Sequence, residues 1–499
     1  METLNSSNVG DKTRQSLKWS LILQFAQKVV MFVSAIVLAR ILTPQDFGLV
    51  TMSITIDFVI QMASSMGVNS AVVHFQDNFK ERLNASYWLI ISSTVLFVGI
   101  QFIFAPVAAS FYKAPLLADI IRVSAVALLI NCSVSTHRSI LIKNMDFKKL
   151  SILDATVNLG RTILSIILAL MGFGVWSFIY PKIVGAIVNA ISLWNMTRWV
   201  PSLNPCFKYW KDMFSYGKDV LLSNILDYCL NNSGYVLIGN YMGSVALGVY
   251  SFAQDKSMMV VNNIAFPVNM VTFPAFSKLQ NEPEKLKSAF LNSLKLISII
   301  SFPYAIGQMV AGGEYISVIF GAKWHSSVLL FQIILCYAML KSVTQTIGPI
   351  LLGIGKSDVL VKLTLTYTPI YVASLFIGYK LANLTGVAIA SSIVGVIGTF
   401  IFMSVLLKIQ KWKFADVFEN LAPAFNSSIL MGLCILTVKN VLFALGQSQL
   451  LVLCAEVFTG IVSYVMAMKL FYPTDYDYVL ENIVKFIGRK KKVEERLTA

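Results

Sequence analysis

Asp154, Asn158, Arg161 and Ser165 recur at spacings of four, three and four inside an otherwise apolar stretch. On a helix all four fall on one face. A charge buried in hydrocarbon costs about 3 kcal/mol or more and rarely points at lipid. A guanidinium in such a place is a donor set for an anion, and a carboxylate is a seat for a proton, a sodium ion or a neighbouring base. The pattern returns along the chain. Ser53, Asp57, Gln61 and Ser64 share a face, as do Gln24 and Lys28, and Asn131, Ser135 and Arg138. Further on come Asn224, Asp227, Tyr228 and Asn231, then Ser251, Asp255 and Asn262 with Lys256 alongside, then Lys295 and Lys341. Lys28 and Asp57 are both central in their segments and are expected to pair or to share a cavity. Arg122, Lys182, Lys218 and Lys362 lie nearer segment ends, where a long basic side chain can reach water.

The elements carrying these charges must be membrane spans. The 499 residues are 56% hydrophobic and only 13% charged, against about 25% charged in an ordinary soluble domain. Apolar runs long enough to cross a core about 30 Å thick recur throughout. Stretches such as "SIILALMGFGVWSFIYPKIVGAIVNAISLW" show no period-two alternation, which excludes barrel strands and leaves helices. The expected fold is an all-α polytopic membrane protein of about 14 transmembrane helices, near 17–41, 44–68, 85–110, 117–142, 150–171, 174–197, 211–238, 243–275, 286–312, 326–352, 357–380, 384–408, 420–443 and 448–472.

Basic residues test this order, since they collect on the cytoplasmic side. With the N-terminus inside, inner loops hold Lys80, Arg82, Lys143, Lys148, Lys149, Arg198 and Lys208, and later Lys278, Lys285, Lys356, Lys408 and Lys411. Outer loops hold only Lys113, Lys323, Lys380 and Lys439, with Arg40 at a helix end. Both termini are therefore expected in the cytoplasm. The polar start has no apolar core or small-residue cleavage site, so no signal peptide is expected. The end, "YVLENIVKFIGRKKK", reads as an interfacial helix with a polybasic patch on an anionic leaflet. No stacking aromatics are interleaved with that patch, so no nucleic-acid partner is expected.

Soluble-enzyme motifs fail. Gly355-Lys356-Ser357 lacks the glycine a phosphate loop needs five residues earlier, where Ile350 stands. His74, His137 and His325 match no metal spacing, and the six cysteines form no Cys-x-x-Cys. No metal, cofactor or catalytic activity is expected, and no loop has room for a catalytic domain.

The chain also repeats itself. Lys18–Val50 lies ungapped on Lys218–Tyr250, which places Gly48 over Gly248. Ile183-Val184-Gly185 pairs similarly with Ile393-Val394-Gly395. Two six-helix lobes in the same orientation would be related by a pseudo-two-fold along the membrane normal. The expected divisions are an N-terminal segment 1–16, an N-lobe 17–197, a linker 198–210, a C-lobe 211–408, two extra helices in 409–472 and a tail 473–499.

Within the repeat, "LARILTPQDFGLVTMSITI" (from Leu38) resembles the first helical hairpin of polysaccharide flippases in the multidrug/oligosaccharidyl-lipid/polysaccharide superfamily. The block from Tyr235 to Leu291 and the Phe320-Gly321…Trp324 step are similar to the same family, nearest its Wzx-type exporters of lipopolysaccharide and exopolysaccharide. The resemblance implies translocation of undecaprenyl-pyrophosphate-linked oligosaccharide between leaflets of a bacterial inner membrane by alternating access. It implies coupling to a proton or sodium ion, and other membrane proteins of the pathway, such as a polymerase, as partners. The counted charges suit that cargo. Ten basic residues stand against Asp57, Asp154, Asp219, Asp227 and Asp255, a surplus suited to a pyrophosphate. Lys28, Arg138, Arg161, Lys295 and Lys341 are the candidate contacts for the anionic head in a cavity between lobes. Asp57, Asp227 and Asp255 are the candidates for ion coupling. A small-molecule exporter and a peptidoglycan-precursor flippase of the same fold are the alternatives. A membrane-embedded polymerase would need a longer outer loop.

Overall fold

Peptide groups in hydrocarbon must pair within their own segment, and every regular element among the described residues is helical. The computed structural model describes residues 27–65, 68, 78–144 and 146–477. The expected segment 1–16, Gln24, His74, the basic tail Gly488–Lys492 and the side chains of Lys218 and Asp219 lie outside that description. The helices are α1 (27–41), α2 (Pro44–Ser65), α3 (Phe79–Phe111), α4 (Leu116–Ser133), α5 (Ser135–Lys143), α6 (Phe147–Leu170), α7 (Trp176–Thr197) and α8 (Trp210–Ser257). They continue as α9 (Phe266–Lys278), α10 (Pro283–Glu314), α11 (Val328–Thr344), α12 (Ile347–Gly353), α13 (Ser357–Gln410), α14 (Phe414–Ala444) and α15 (Gln449–Phe471). Eleven elements among the described residues are long and apolar enough to cross a membrane. The chain is a multi-pass helical membrane protein.

Two elements are hairpins. A straight helix of 54 residues would be about 80 Å long, yet in α13 a Cβ on Gly378 would lie 2.3 Å from the Gly386 carbonyl oxygen. The Tyr367 hydroxyl donates to the Val394 carbonyl at 3.0 Å. The arms are therefore antiparallel and turn at Ala382 and Asn383, the latter at φ 51°, a conformation asparagine tolerates better than most residues. In α8 the rings of Tyr235 and Tyr250 lie 6.1 Å apart, and the chain turns at Gly243 with φ 82°. Both turns fall within a residue or two of the expected boundaries. The expected helix 117–142, by contrast, is interrupted at Val134. Ser133 and Ser135 flank the break and donate to the Ile130 and Cys132 carbonyls, competing with the helical ladder.

Contacts divide the chain into two compact units, one ending at Ser251 and one beginning at Phe252. The first therefore includes most of α8, which the repeat assigns to the second lobe. The packing reason is a backbone crossing: a Cβ on Gly48 would lie 1.8 Å from the Ser244 carbonyl oxygen, and one on Gly248 would lie 1.7 Å from that of Pro44. Only glycine allows that approach. The glycines paired by the repeat thus meet one another.

The linker 198–210 is clasped to α3. The Asn84 side chain accepts from the Ser202 N–H at 2.8 Å and donates to the Asn204 carbonyl. Trp88 Nε1 donates to the Ser202 carbonyl at 2.7 Å. Glu81 accepts from the Tyr209 hydroxyl at 2.7 Å and pairs with Lys208 at 2.9 Å. The second unit has a large apolar core around Phe276, Phe290, Leu294, Ile297, Leu351 and Leu406.

Candidate functional site

The polar stripe on α6 faces a matching stripe on α7, where Lys182, Gly185 and Asn189 recur at spacings of three and four. Between them lies a cavity of about 130 Å³ lined by Asn131 of α4, Asp154, Asn158 and Arg161 of α6, and Lys182, Gly185 and Asn189 of α7. It lies inside the first unit, whereas the expected cavity lay between lobes.

Two basic groups, Arg161 and Lys182, line this cavity, and a third, Arg138, holds its lining carboxylate Asp154; Arg138 and Lys182 are already committed. Arg138 of α5 grips Asp154 with two bonds, at 2.8 and 2.6 Å, the bidentate geometry that neutralises a guanidinium most completely. Lys182 donates to Asp57 at 2.5 Å. Arg161 has neither a hydrogen-bond acceptor nor an ion-pair partner among the described residues. Its stem crosses Gly185 so closely that a Cβ there would lie 2.4 Å from Arg161 Cδ. The missing side chain is what lets this guanidinium lie along α7. Beside it, Asn189 donates to the Asn131 side-chain oxygen at a weak 3.4 Å, so these amides can re-aim at a guest.

Asp57 was expected to pair with Lys28 or to seat a coupling ion. It pairs instead with Lys182, and it also accepts from Gln101 Nε2 at 2.7 Å and Ser124 Oγ at 2.9 Å while being buried. Three of its roughly four acceptor sites are filled, and these bonds tie α2 to α3, α4 and α7. Lys28 is exposed on α1 and forms no ion pair among the described residues. Lys182, expected to reach water, is the actual partner.

The remaining candidates disperse. Lys295 is ion-paired with Asp475, beyond α15, which removes it from the free anion contacts. Lys341 lies half-buried over the Tyr337 ring at 5.4 Å. Asp255 is exposed, and its neighbour Lys256 sits over Phe252 and Phe320 at 5.4 and 5.1 Å. Asp227 is exposed, with its carbonyl accepting from the Asn231 side chain at 2.8 Å. Of the five candidate anion contacts, Arg161 alone lines the cavity, and Arg138 reaches it only through its pair with the lining residue Asp154. The acid count also needs correction, because Glu314 and Glu456 lie within α10 and α15 and are both buried. Their isolation in apolar sequence was the signal that spacing alone did not weigh.

The chain matches the sequence profile described as "Polysaccharide biosynthesis protein" over residues 37–329. It is 26% identical to the teichuronic acid biosynthesis protein TuaB of Bacillus subtilis, covering 91% of this chain and 95% of that protein. It is 24% identical to the lipopolysaccharide biosynthesis protein WzxC of Escherichia coli, covering 80% and 81%. The succinoglycan biosynthesis transport protein ExoT of Rhizobium meliloti is 25% identical, with 72% of each chain covered. Among solved structures, the lipid II flippase MurJ in an inward closed conformation superposes with a TM-score of 0.73 at 13% identity, covering 91% of this chain and 99% of that one. An inward-facing multidrug resistance transporter of the MATE family gives 0.59 at 16% identity, covering 77% and 94%. At these identities the two structures establish a shared fold.

Proposed function

The chain belongs to the polysaccharide biosynthesis protein family, and from that premise we propose that it translocates a lipid-linked oligosaccharide from the inner to the outer leaflet of the bacterial cytoplasmic membrane. The observation that carries this reading is the cavity of the first unit, with one uncompensated guanidinium, Arg161, among rearrangeable amides. A pyrophosphate leaving water needs such donors, because a desolvated phosphate oxygen without them is costly. Asn131, Asn158 and Asn189 add neutral donors for phosphate or sugar hydroxyls. The Arg138–Asp154 and Lys182–Asp57 pairs hold the walls without attracting a second anion.

In this mechanism the pyrophosphate docks against Arg161 at the cavity while the polyprenyl chain stays in lipid, and alternating access then exposes the head to the other side. No bond of the cargo is made or broken. Fourteen spans with both termini cytoplasmic fit the two hairpins and the basic bias of the inner loops. A multidrug-type exporter of cations is disfavoured by Arg161, which would repel its cargo.

The test is outer-leaflet appearance of a labelled undecaprenyl-pyrophosphate oligosaccharide in proteoliposomes. Arg161→Ala is expected to lower transport about 10- to 100-fold, the worth of one charge-assisted hydrogen bond, with Arg161→Lys retaining part. Unchanged transport in a folded Arg161→Ala protein would refute the assignment of the head to this cavity.

A further inference from the structure

The second unit buries a charge cluster that the translocation reading does not use. Lys439 of α14 donates to Glu314 Oε2 of α10 at 2.7 Å and to the Val310 carbonyl at 2.9 Å. Glu456 of α15 lies 3.8 Å from the same ammonium, beyond hydrogen-bond reach. Glu456 is 1% exposed, and neither of its carboxyl oxygens has a hydrogen-bond partner. The three helices pack in register around it. Gly432 of α14 meets Ile306 of α10, and Gly460 of α15 meets Ile435 of α14. Each glycine contact lies one or two turns below the charged layer, and in that layer Lys439 keeps some exposure to solvent while Glu456 is buried. The charged groups facing Glu456 are Glu314 and Lys439. Tyr315, on the turn following α10, points its ring instead at Phe320 and Phe331.

The charges do not balance if every group is ionised: two carboxylates share one ammonium, which directs two of its three N–H bonds to Glu314 and Val310 and stands 3.8 Å from Glu456. A buried carboxylate without a donor is strongly disfavoured against its neutral acid. We propose that Glu456 holds one exchangeable proton, forming with Glu314 and Lys439 a proton-binding site at the end of the bundle that bears the 444–449 connection. The step is simple: a proton from water joins a Glu456 oxygen, and the layer becomes neutral. When that proton leaves, Lys439 is drawn between two carboxylates and loosens its hold on Glu314, so occupancy governs how α15 is tied to α10. A sodium ion fits the site poorly. It needs several oxygens around one point, and here the ammonium already occupies that point. The basic-residue distribution assigns this end to the outer side, where a proton arriving from outside meets it first.

The site can be tested without any glycan, so its failure is separable from failure of the translocation reading. Infrared difference spectra of the full-length protein in bilayers are recorded at neutral pH in H2O and D2O. The wild type is expected to show a deuterium-sensitive carboxylic-acid C=O band that is lost in the near-isosteric Glu456→Gln. Glu314→Gln is expected to abolish the band as well, because Lys439 is then free to pair with Glu456. Lys439→Gln is expected to increase it, because both carboxyls then lack their counter-charge. Absence of the band in the wild type, or its survival in Glu456→Gln, would overturn the proposal. Removal of the band by sodium at constant pH would overturn it in favour of a metal cation. Circular dichroism on each variant separates these outcomes from misfolding.

Discussion

A single methyl group at Gly48 tests the crossing of α2 with the second arm of α8. The added Cβ would lie 1.8 Å from the Ser244 carbonyl oxygen, whereas carbon and carbonyl oxygen ordinarily approach to about 3.3 Å. The two backbones must therefore part by roughly 1.5 Å, and because both partners are main chain, no side chain can rotate away. Overpacking of this kind costs about 1–3 kcal/mol. If the crossing exists only when this end of the protein is closed, that cost falls on the closed state alone. At 1.4 kcal/mol per factor of ten, the closed-to-open ratio falls about 5- to 150-fold. Gly248→Ala should do the same through Pro44, and the double variant should add less than the sum, since both changes part the same pair. The assay is labelling of Thr51→Cys by a membrane-impermeant maleimide, in a background lacking the six native cysteines. Thr51 lies next to the crossing, with its hydroxyl 3.2 Å from Ser251 Oγ. Faster labelling from the outside is expected in either alanine variant. Unchanged labelling in both, with the protein folded, would mean that the helices do not touch in the membrane, and the reasoning would fail.

Lys182→Met leaves buried Asp57 with only Gln101 and Ser124 as donors, and thermal unfolding in detergent should report a loss of about 3 kcal/mol, largely recovered when Asp57→Asn is added. Asp154→Asn strands Arg138. With both side chains partly accessible, the expected cost is about 1 kcal/mol, and a double-mutant cycle with Arg138→Gln should show coupling rather than additivity. Asn84→Ala removes both bonds to the linker backbone, and limited proteolysis should cut between Ser202 and Asn204 faster than in the wild type. The hydrogen bond to Glu81 raises the Lys208 ammonium above its ordinary value, so that part of the clasp is present below the ordinary lysine range and is lost only as pH rises through the higher folded value; linker cleavage should therefore be flat near neutrality and accelerate only in strong alkali.

Helical spans, their order and the two hairpin turns were legible in residue types alone, because lipid leaves the backbone no alternative to helix and because Gly243 and Asn383 suit the turns the chain makes. The stripe of Asp154, Asn158 and Arg161 was legible for the same reason, since a period of 3.6 puts residues three and four apart on one face. Periodicity names a face without naming what faces it. The pairing of Asp57 with Lys182 rather than Lys28, of Lys295 with Asp475, and of Glu456 with a lysine already taken by Glu314 depended on which helices dock side by side. Interactions between charges out of water fall off over a few ångströms and vary with each neighbour's desolvation. Partner choice among residues on different helices is therefore a property of the packed helices. The repeat shows the same division. Sequence aligned Gly48 with Gly248, and only the tertiary fold brought the two backbones together, because close approach depends on the space left by every other side chain on both helices.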